Sequence, residues 1–329
     1  MKRMSSLIGA AVALALCGCA PADHRPYAAV IEKVAGSVAF LSEDGKQVGQ
    51  VKVGAFPHEA ALSSDGRLLY VSVNGVLWMT EDSTGGNTIA VVDVPSMKKL
   101  YDIDLGRFHR PHGIAVSRDR LLATTERPFG VVMVDPVART VVRDYDVKGK
   151  SPHMVFPLPD GRLAFASNSD SDSVAAIDLK SAETTVILTP AHPQGGVFSP
   201  DAKRLYVTCM NANQIAIIDT EALRVIGFIA TGKGPARIAL TPDGKTLVYN
   251  LGFEPGVGFA DVATGKETGT VKLSGRPLSL TMTADGRRAF AGIQDQDKVI
   301  FISVPDRKIE RVIELPKGSG PDPVIPLGH

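Results

Sequence analysis

Apolar residues in this chain come in short runs cut by turn residues, and within the runs they alternate rather than follow a helical period. The stretch from Gly106 to Val142 shows the unit most clearly. A corner of Arg110, Pro111 and His112 leads into an apolar strand over 113–116, a polar turn over 117–120 and a second strand over 121–125. A loop, an alternating third strand over 131–135, a turn and a fourth strand from Val141 complete it. Four short strands make one antiparallel sheet too small to bury its own faces, so the unit requires neighbours of its own kind.

The chain supplies them. The corner proline recurs at Pro57, Pro111, Pro152, Pro193, Pro235, Pro277 and Pro321, in steps of 54, 41, 41, 42, 42 and 44 residues. A period of about 40 to 45 with four strands per unit is that of a propeller blade. Turns at Ser64-Asp65-Gly66, Pro159-Asp160-Gly161, Pro200-Asp201, Pro242-Asp243-Gly244 and Ala284-Asp285-Gly286 keep the same phase. So do the strand-ending Asp93, Asp135, Asp178, Asp219 and Asp261, whose carboxylates are expected to cap turns. Residues 27–53 carry three strands without a corner, and 318–327 carry a corner and one strand. The two partial units complete each other. The prediction is an all-β fold over 27–329: a seven-bladed β-propeller of four-stranded antiparallel blades, the first closed by the C-terminal strand.

With 36 basic and 35 acidic side chains the formal charge is +1, which lacks the basic surface that nucleic acid demands. Lys2 and Arg3 precede an apolar run over 7–16, the length of a signal segment rather than of a membrane span. Leu16-Cys17-Gly18-Cys19 resembles a bacterial lipobox. That resemblance implies a signal peptide over 1–18, lipidation of Cys19, a tether over 19–26 and a periplasmic protein whose only membrane contact is its lipid anchor. Ala20 after the cysteine looks like the outer-membrane sorting pattern. Cys209 is then the one cysteine of the folded body, expected as a small core residue, with no disulfide available. No Cys-x-x-Cys-His motif is present, which excludes covalent c-type haem attachment.

The repeats resemble those of the YVTN-repeat propellers, a bacterial group related to lactonase-type propellers and to the haem-binding propeller of respiratory nitrite reductase. Leu69-Tyr70-Val71-Ser72 and Leu205-Tyr206-Val207-Thr208 match the signature strand, and residues 87–93 and 214–219 the third strand. The likeness covers the chain after Tyr27. It specifies fold and leaves function open, because the group holds enzymes, binding proteins and members without an assigned role. It also implies that ligands bind on the face that carries the corners. The long first step puts an insertion over 74–87 on that face, containing the single tryptophan, Trp78, beside Glu81 and Asp82. This loop is expected to act as a lid or contact surface, or to pack on the next blade.

The residue after each corner proline is expected to point to the axis. In order these are His58, His112, His153, Gln194, Ala236, Leu278 and Asp322, so three consecutive blades present histidine. Two readings follow. Pro-His is either a repeat habit, with ring nitrogens bonded to backbone, or one side of a binding site. As a site, three neutral imidazoles suit a divalent transition metal and leave a position open for water or substrate. Glu59 and Glu126 are then candidate catalytic bases, although strand alternation would turn Glu59 away from its neighbour's face. Asn168, the counterpart of Glu126 one blade on, and Trp78 are candidate ligand contacts. His109 and His192 lie near corners and could serve as an outer shell. The expected role is a monomeric envelope protein that binds a small molecule, a metal or another envelope protein at the channel mouth. A metal-dependent lactonase-type hydrolase or lyase is the alternative, and a non-covalent haem-handling protein a weaker one.

Overall fold

The structure is a computed structural model that describes residues 25–328; the signal segment, Cys17, Cys19, His24 and His329 lie outside those residues. Seven four-stranded antiparallel sheets are arranged as blades. Blade 1 joins the C-terminal strand Pro321–Pro326 to Ala28–Glu32, Ser37–Leu41 and Gln47–Lys52. Blades 2 to 7 follow in chain order over 57–104, 109–145, 152–188, 193–230, 235–272 and 279–314. The predicted count and the predicted closure both hold.

Burial explains the pattern along the chain. The middle strands, such as Ser37–Leu41 and Leu163–Asn168, are buried at every position because a neighbouring blade covers each face. Outer strands such as Lys98–Asp104 and Arg224–Ala230 alternate between buried and exposed. The core is therefore not central. It consists of seven apolar clusters, one at each blade junction: Ile31, Phe40, Leu69 and Val92 join blades 1 and 2, for example, and Ala39, Leu41, Phe290 and Phe301 join 7 and 1. Each large side chain buried there contributes about 1.5–3 kcal/mol.

The turn aspartates act as expected. Asp135 Oδ1 accepts from Val137 N and Ala138 N, Asp178 Oδ1 from Lys180 N and Ser181 N, and Asp219 Oδ1 from Glu221 N and Ala222 N. These bonds hold each carboxyl below the usual carboxylate range. Cys209 is buried and free, and burial pushes its thiol up to about 12.

A belt of polar side chains on the second strands locks the inner strands together. Ser72 Oγ accepts from Glu59 N of its own blade (3.0 Å) and donates to His112 O of the next (2.7 Å). Thr124 links Gly113 N to His153 O, Ser167 links Met154 N to Gln194 O, and Thr208 links Gly195 N to Ala236 O. Asn250 joins Arg237 N to Pro277 O in the same way. The carbonyls of His112, His153, Gln194 and Ala236 are thus each held by the preceding blade, which fixes where their side chains stand.

Candidate functional site

All seven residues that follow the corner prolines line one cavity of about 550 Å³ at the channel mouth. Leu77, Trp78, Met79 and Thr80 of the insertion line it as well, so this loop sits over the mouth as a lid. The lid is internally tied, because Glu81 Oε1 accepts from Leu77 N and Trp78 N at 2.8 Å each. It is clamped from below by Arg110, whose guanidinium donates to Glu81 O (2.7 Å) and Met79 O (3.4 Å). Gly75 makes the loop's entry possible: it holds φ +82°, and a Cβ there would strike Gly86 N.

The three histidines meet ring to ring. Centroids of His58 and His112 lie 4.7 Å apart at 71°, and those of His112 and His153 4.3 Å apart at 46°. His58 Nδ1 lies 3.0 Å from Phe56 O, a carbonyl that can only accept, so this nitrogen carries the proton and Nε2 carries the lone pair. His112 Nδ1 lies 3.1 Å from Glu126 Oε1, while Glu126 Oε2 lies 3.4 Å from Arg110 Nη1 and Asn74 Nδ2 donates to Oε1 at 3.3 Å. His153 Nδ1 is buried without a partner. Burial, and after it the charges of Lys33 and Arg237, holds His58 and His112 well below the usual imidazole range; His153 is lowered by burial, His112 and Arg237. The rings are neutral at pH 7.

The first pair of rings meets edge to face and the second is tilted, and with Nδ1 engaged at His58 and His112 only their Nε2 atoms remain free. Among the described residues no group of three or more His, Cys, Asp or Glu side chains is arranged to hold a metal ion. The residues present do not fit a three-histidine metal centre.

The carboxylates also sit differently from expectation. In blades 2 to 6 the register slips just after the corner: Pro57 pairs with Val73 but Ala60 with Val71, so His58 and Glu59 share the space of one residue. This bulge defeats the alternation that would have turned Glu59 aside. Glu59 reaches into the channel and pairs with Arg237 of blade 6, beneath the cavity wall to which Arg237 belongs. Burial pushes the Glu59 carboxyl above its usual range, opposed by Arg237. Glu126 stands behind His112 rather than on the wall, also raised by burial and opposed by Arg110. Asn168 is not on the wall either, since its amide donates to Val147 O and Ser173 Oγ. Of the outer histidines, His192 lines the cavity and His109 does not.

Lys33 and Arg237 escaped the sequence reading. Arg237 occupies the second bulge position, so a bulge at every corner would have flagged it together with Glu59. Lys33 follows strand Ala28–Glu32, where the chain shows no repeat mark.

The fold and site together define a seven-bladed propeller, closed by its own C-terminal strand, with a lidded and histidine-walled cavity at the channel mouth. The chain belongs to the YNCE-like beta-propeller family, whose sequence model matches residues 120–320. It is 29% identical over 91 residues to the uncharacterized protein YncE of Salmonella typhimurium LT2 and 28% identical over the same length to that of Salmonella typhi. Each alignment covers 28% of this chain and about a quarter (26%) of the relative. Among solved structures, a functionally unknown protein of Desulfotomaculum acetoxidans is similar at TM-score 0.77 and 13% identity, over 91% of this chain and 98% of that one. The periplasmic gluconolactonase of Pseudomonas aeruginosa matches at 0.73 and 16%, over 91% and 98%. Dihydro-heme d1 dehydrogenase NirN, in complex with DHE, matches at 0.66 and 16%, over 90% and 65%. At these identities the likeness shows the fold alone.

Proposed function

We propose that this protein binds a small organic molecule in the lidded cavity at its channel mouth. One observation carries the reading: seven equivalent positions on seven blades, and an insertion unique to one of them, enclose a single space of about 550 Å³. That volume is of the size that encloses small ligands, and the wall is split as such sites are. Imidazoles, Gln194, Lys33 and Arg237 supply polar contacts, against Leu77, Trp78, Met79, Met210, Ala236 and Leu278 on the apolar side. The test is a thermal-shift screen of small molecules against wild type and Ala236→Trp, which fills the cavity from a position outside the seven apolar clusters. A ligand at 100 times its Kd stabilises the wild type by about 2.7 kcal/mol. The reading requires that Ala236→Trp lose that stabilisation.

A second reading is favoured by the His112–Glu126 contact. An imidazole whose Nδ1 faces a carboxylate presents a more basic Nε2 on its other side. On that arrangement His112 would hold the iron of a non-covalently bound haem through Nε2, and NirN, whose structure is in complex with DHE, gives it a fold-level parallel. A Soret shift on haem titration, abolished by His112→Ala, tests it. The metal-dependent lactonase-type hydrolase or lyase has the least support, since neither Glu59 nor Glu126 faces the cavity as a free base and no metal-holding group is found among the described residues.

For location, we propose an envelope lipoprotein anchored through Cys19, supported by the apolar run over 7–16 and the Leu16-Cys17-Gly18-Cys19 motif. Several acyl chains, at about 0.8 kcal/mol per buried methylene, would hold it where one would not. Incorporation of labelled palmitate by the wild type and its loss in Cys19→Ser is the measurement.

A further inference from the structure

Lys33 and Asp322 stand side by side on the cavity wall, both on blade 1 or its inner turn. Lys33 is only 5% exposed, and Asp322 only 6%. Their ion pair is loose, with Nζ 3.5 Å from Asp322 Oδ2. Beyond that pair, Lys33 Nζ lies over the face of the Trp78 ring, 5.3 Å from its centroid, and makes no hydrogen bond among the described residues. An ammonium has three donors, so most of its capacity is unspent. Asp322 Oδ1 is buried without any partner. Buried donors and acceptors are normally satisfied, and leaving them open is costly. Here an unpartnered acceptor and an ammonium with donors to spare stand next to each other, on the wall of one cavity, under the lid tryptophan.

We propose that this pair reads the head of a small 2-hydroxy- or 2-amino-carboxylate, which deepens and rests on the small-ligand reading of the cavity. The ligand's carboxylate accepts from Lys33 Nζ, and the hydroxyl or amine on the neighbouring carbon donates to Asp322 Oδ1. A plain carboxylate satisfies Lys33 alone, and a plain alcohol or amine satisfies Asp322 alone. A molecule carrying both groups on adjacent carbons answers both orphans at once. The body of the ligand then lies against Trp78, Met79 and Leu278, the apolar side of the wall. The lone pairs at His58 Nε2 and His112 Nε2 accept any further hydroxyl the body carries.

Trp78 is the only tryptophan and touches Lys33, so its emission reports the site directly. The probes are 3-phenyllactate, phenylalanine, 3-phenylpropionate, which lacks the second group, and methyl 3-phenyllactate, which lacks the charge, together with smaller 2-hydroxy and 2-amino acids. Phenyllactate against phenylalanine decides between hydroxyl and amine. The expected result is a saturable change in Trp78 emission with the hydroxy or amino acid. Affinity should be at least ten-fold weaker for the ester and for the phenylpropionate. Lys33→Gln should bind acid and ester alike, Lys33→Arg should restore the preference for acid, and Asp322→Leu, which has no acceptor, should bind phenyllactate and phenylpropionate alike. The conservative Lys33→Arg keeps the result readable if Lys33→Gln folds poorly. If acid and ester bind the wild type equally, or if none of the acids binds while neutral compounds do, this inference is overturned and the small-ligand reading stands. If no compound of any class perturbs Trp78 or stabilises the fold, both fail.

Discussion

Glu59 and Arg237 lie 178 positions apart in the chain and meet across the channel, where Glu59 Oε1 accepts from both Nε (3.1 Å) and Nη2 of the guanidinium. Blades 2 and 6 stand almost opposite in a ring of seven, so this pair ties the ring across its diameter. Both side chains are largely buried. Breaking such a pair from one side strands a charge, whereas replacing both ends with apolar groups does not. Arg237→Met alone is therefore expected to cost about 3–5 kcal/mol in urea denaturation, and Glu59→Met/Arg237→Met to recover most of it. A double variant as unstable as the single one would show that the pair is not the cause.

The stacked histidines predict acid sensitivity. Each has a folded pKa held below its unfolded value of about 6.5, so below that pH the unfolded chain binds protons that the folded chain refuses. Stability then falls as pH drops through about 6.5, at up to about 1.4 kcal/mol per pH unit per histidine. Glu59 and Glu126 act with the opposite sign, since a raised carboxyl favours the folded state as it takes up its proton. Comparing wild type with His58→Gln/His153→Gln isolates the imidazole contribution. The variant should lose most of the slope between pH 6.5 and 5, read as midpoint denaturant concentration against pH. An unchanged slope would mean these rings take up protons as readily in the folded chain as in the unfolded one.

The architecture was legible because it rests on local rules repeated around the ring: a corner proline in all seven units, a turn aspartate in five and an apolar second strand, each visible without knowledge of its neighbours. The ring of His58, His112 and His153 was legible for the same reason, as equivalent positions must share a wall. What failed depended on geometry that a repeat period does not carry. The bulge after Pro57 moved Glu59 onto the channel, and nothing in Pro-His-Glu marks a bulge. Asn168 is not the counterpart of Glu126 that the repeat suggested: it pairs with the corner Pro152, whereas Pro111 pairs with Thr125, so Glu126 stands one position further on and meets Arg110 and His112 while Asn168 meets Val147 and Ser173. Lys33 was invisible because it belongs to the one blade assembled from both ends of the chain.

The belt of second-strand hydroxyls should matter more than its residue types suggest. Thr208 Oγ1 accepts from Gly195 N at 3.0 Å and donates to Ala236 O at 2.5 Å, and is fully buried. Thr208→Val keeps the shape and strands both backbone groups, for an expected loss of about 1–3 kcal/mol. Thr208→Ser keeps the hydroxyl and should cost less, chiefly one buried methyl. Chemical denaturation of the two variants separates the effects. Equal losses would assign the stability to packing instead.

The lid should open when its internal tie is cut. Glu81 Oε1 holds Leu77 N and Trp78 N, and Glu81 is exposed, so Glu81→Ala removes two charge-assisted bonds without disturbing a blade junction. Hydrogen bonds to a charged group contribute about 1.5–3 kcal/mol each when shielded, and less at the surface, so together they should still shift local opening by ten-fold or more. Hydrogen exchange at the Leu77 and Trp78 amides is expected to accelerate by that factor, and acrylamide quenching of Trp78 to rise. Exchange at core amides such as Val71 and Val207 should stay unchanged, because no junction cluster includes the loop. Faster exchange confined to the lid would establish that the mouth can be uncovered while the ring remains closed, as ligand entry under Trp78 requires. Acceleration throughout the blades would instead make the loop part of the fold's own stability.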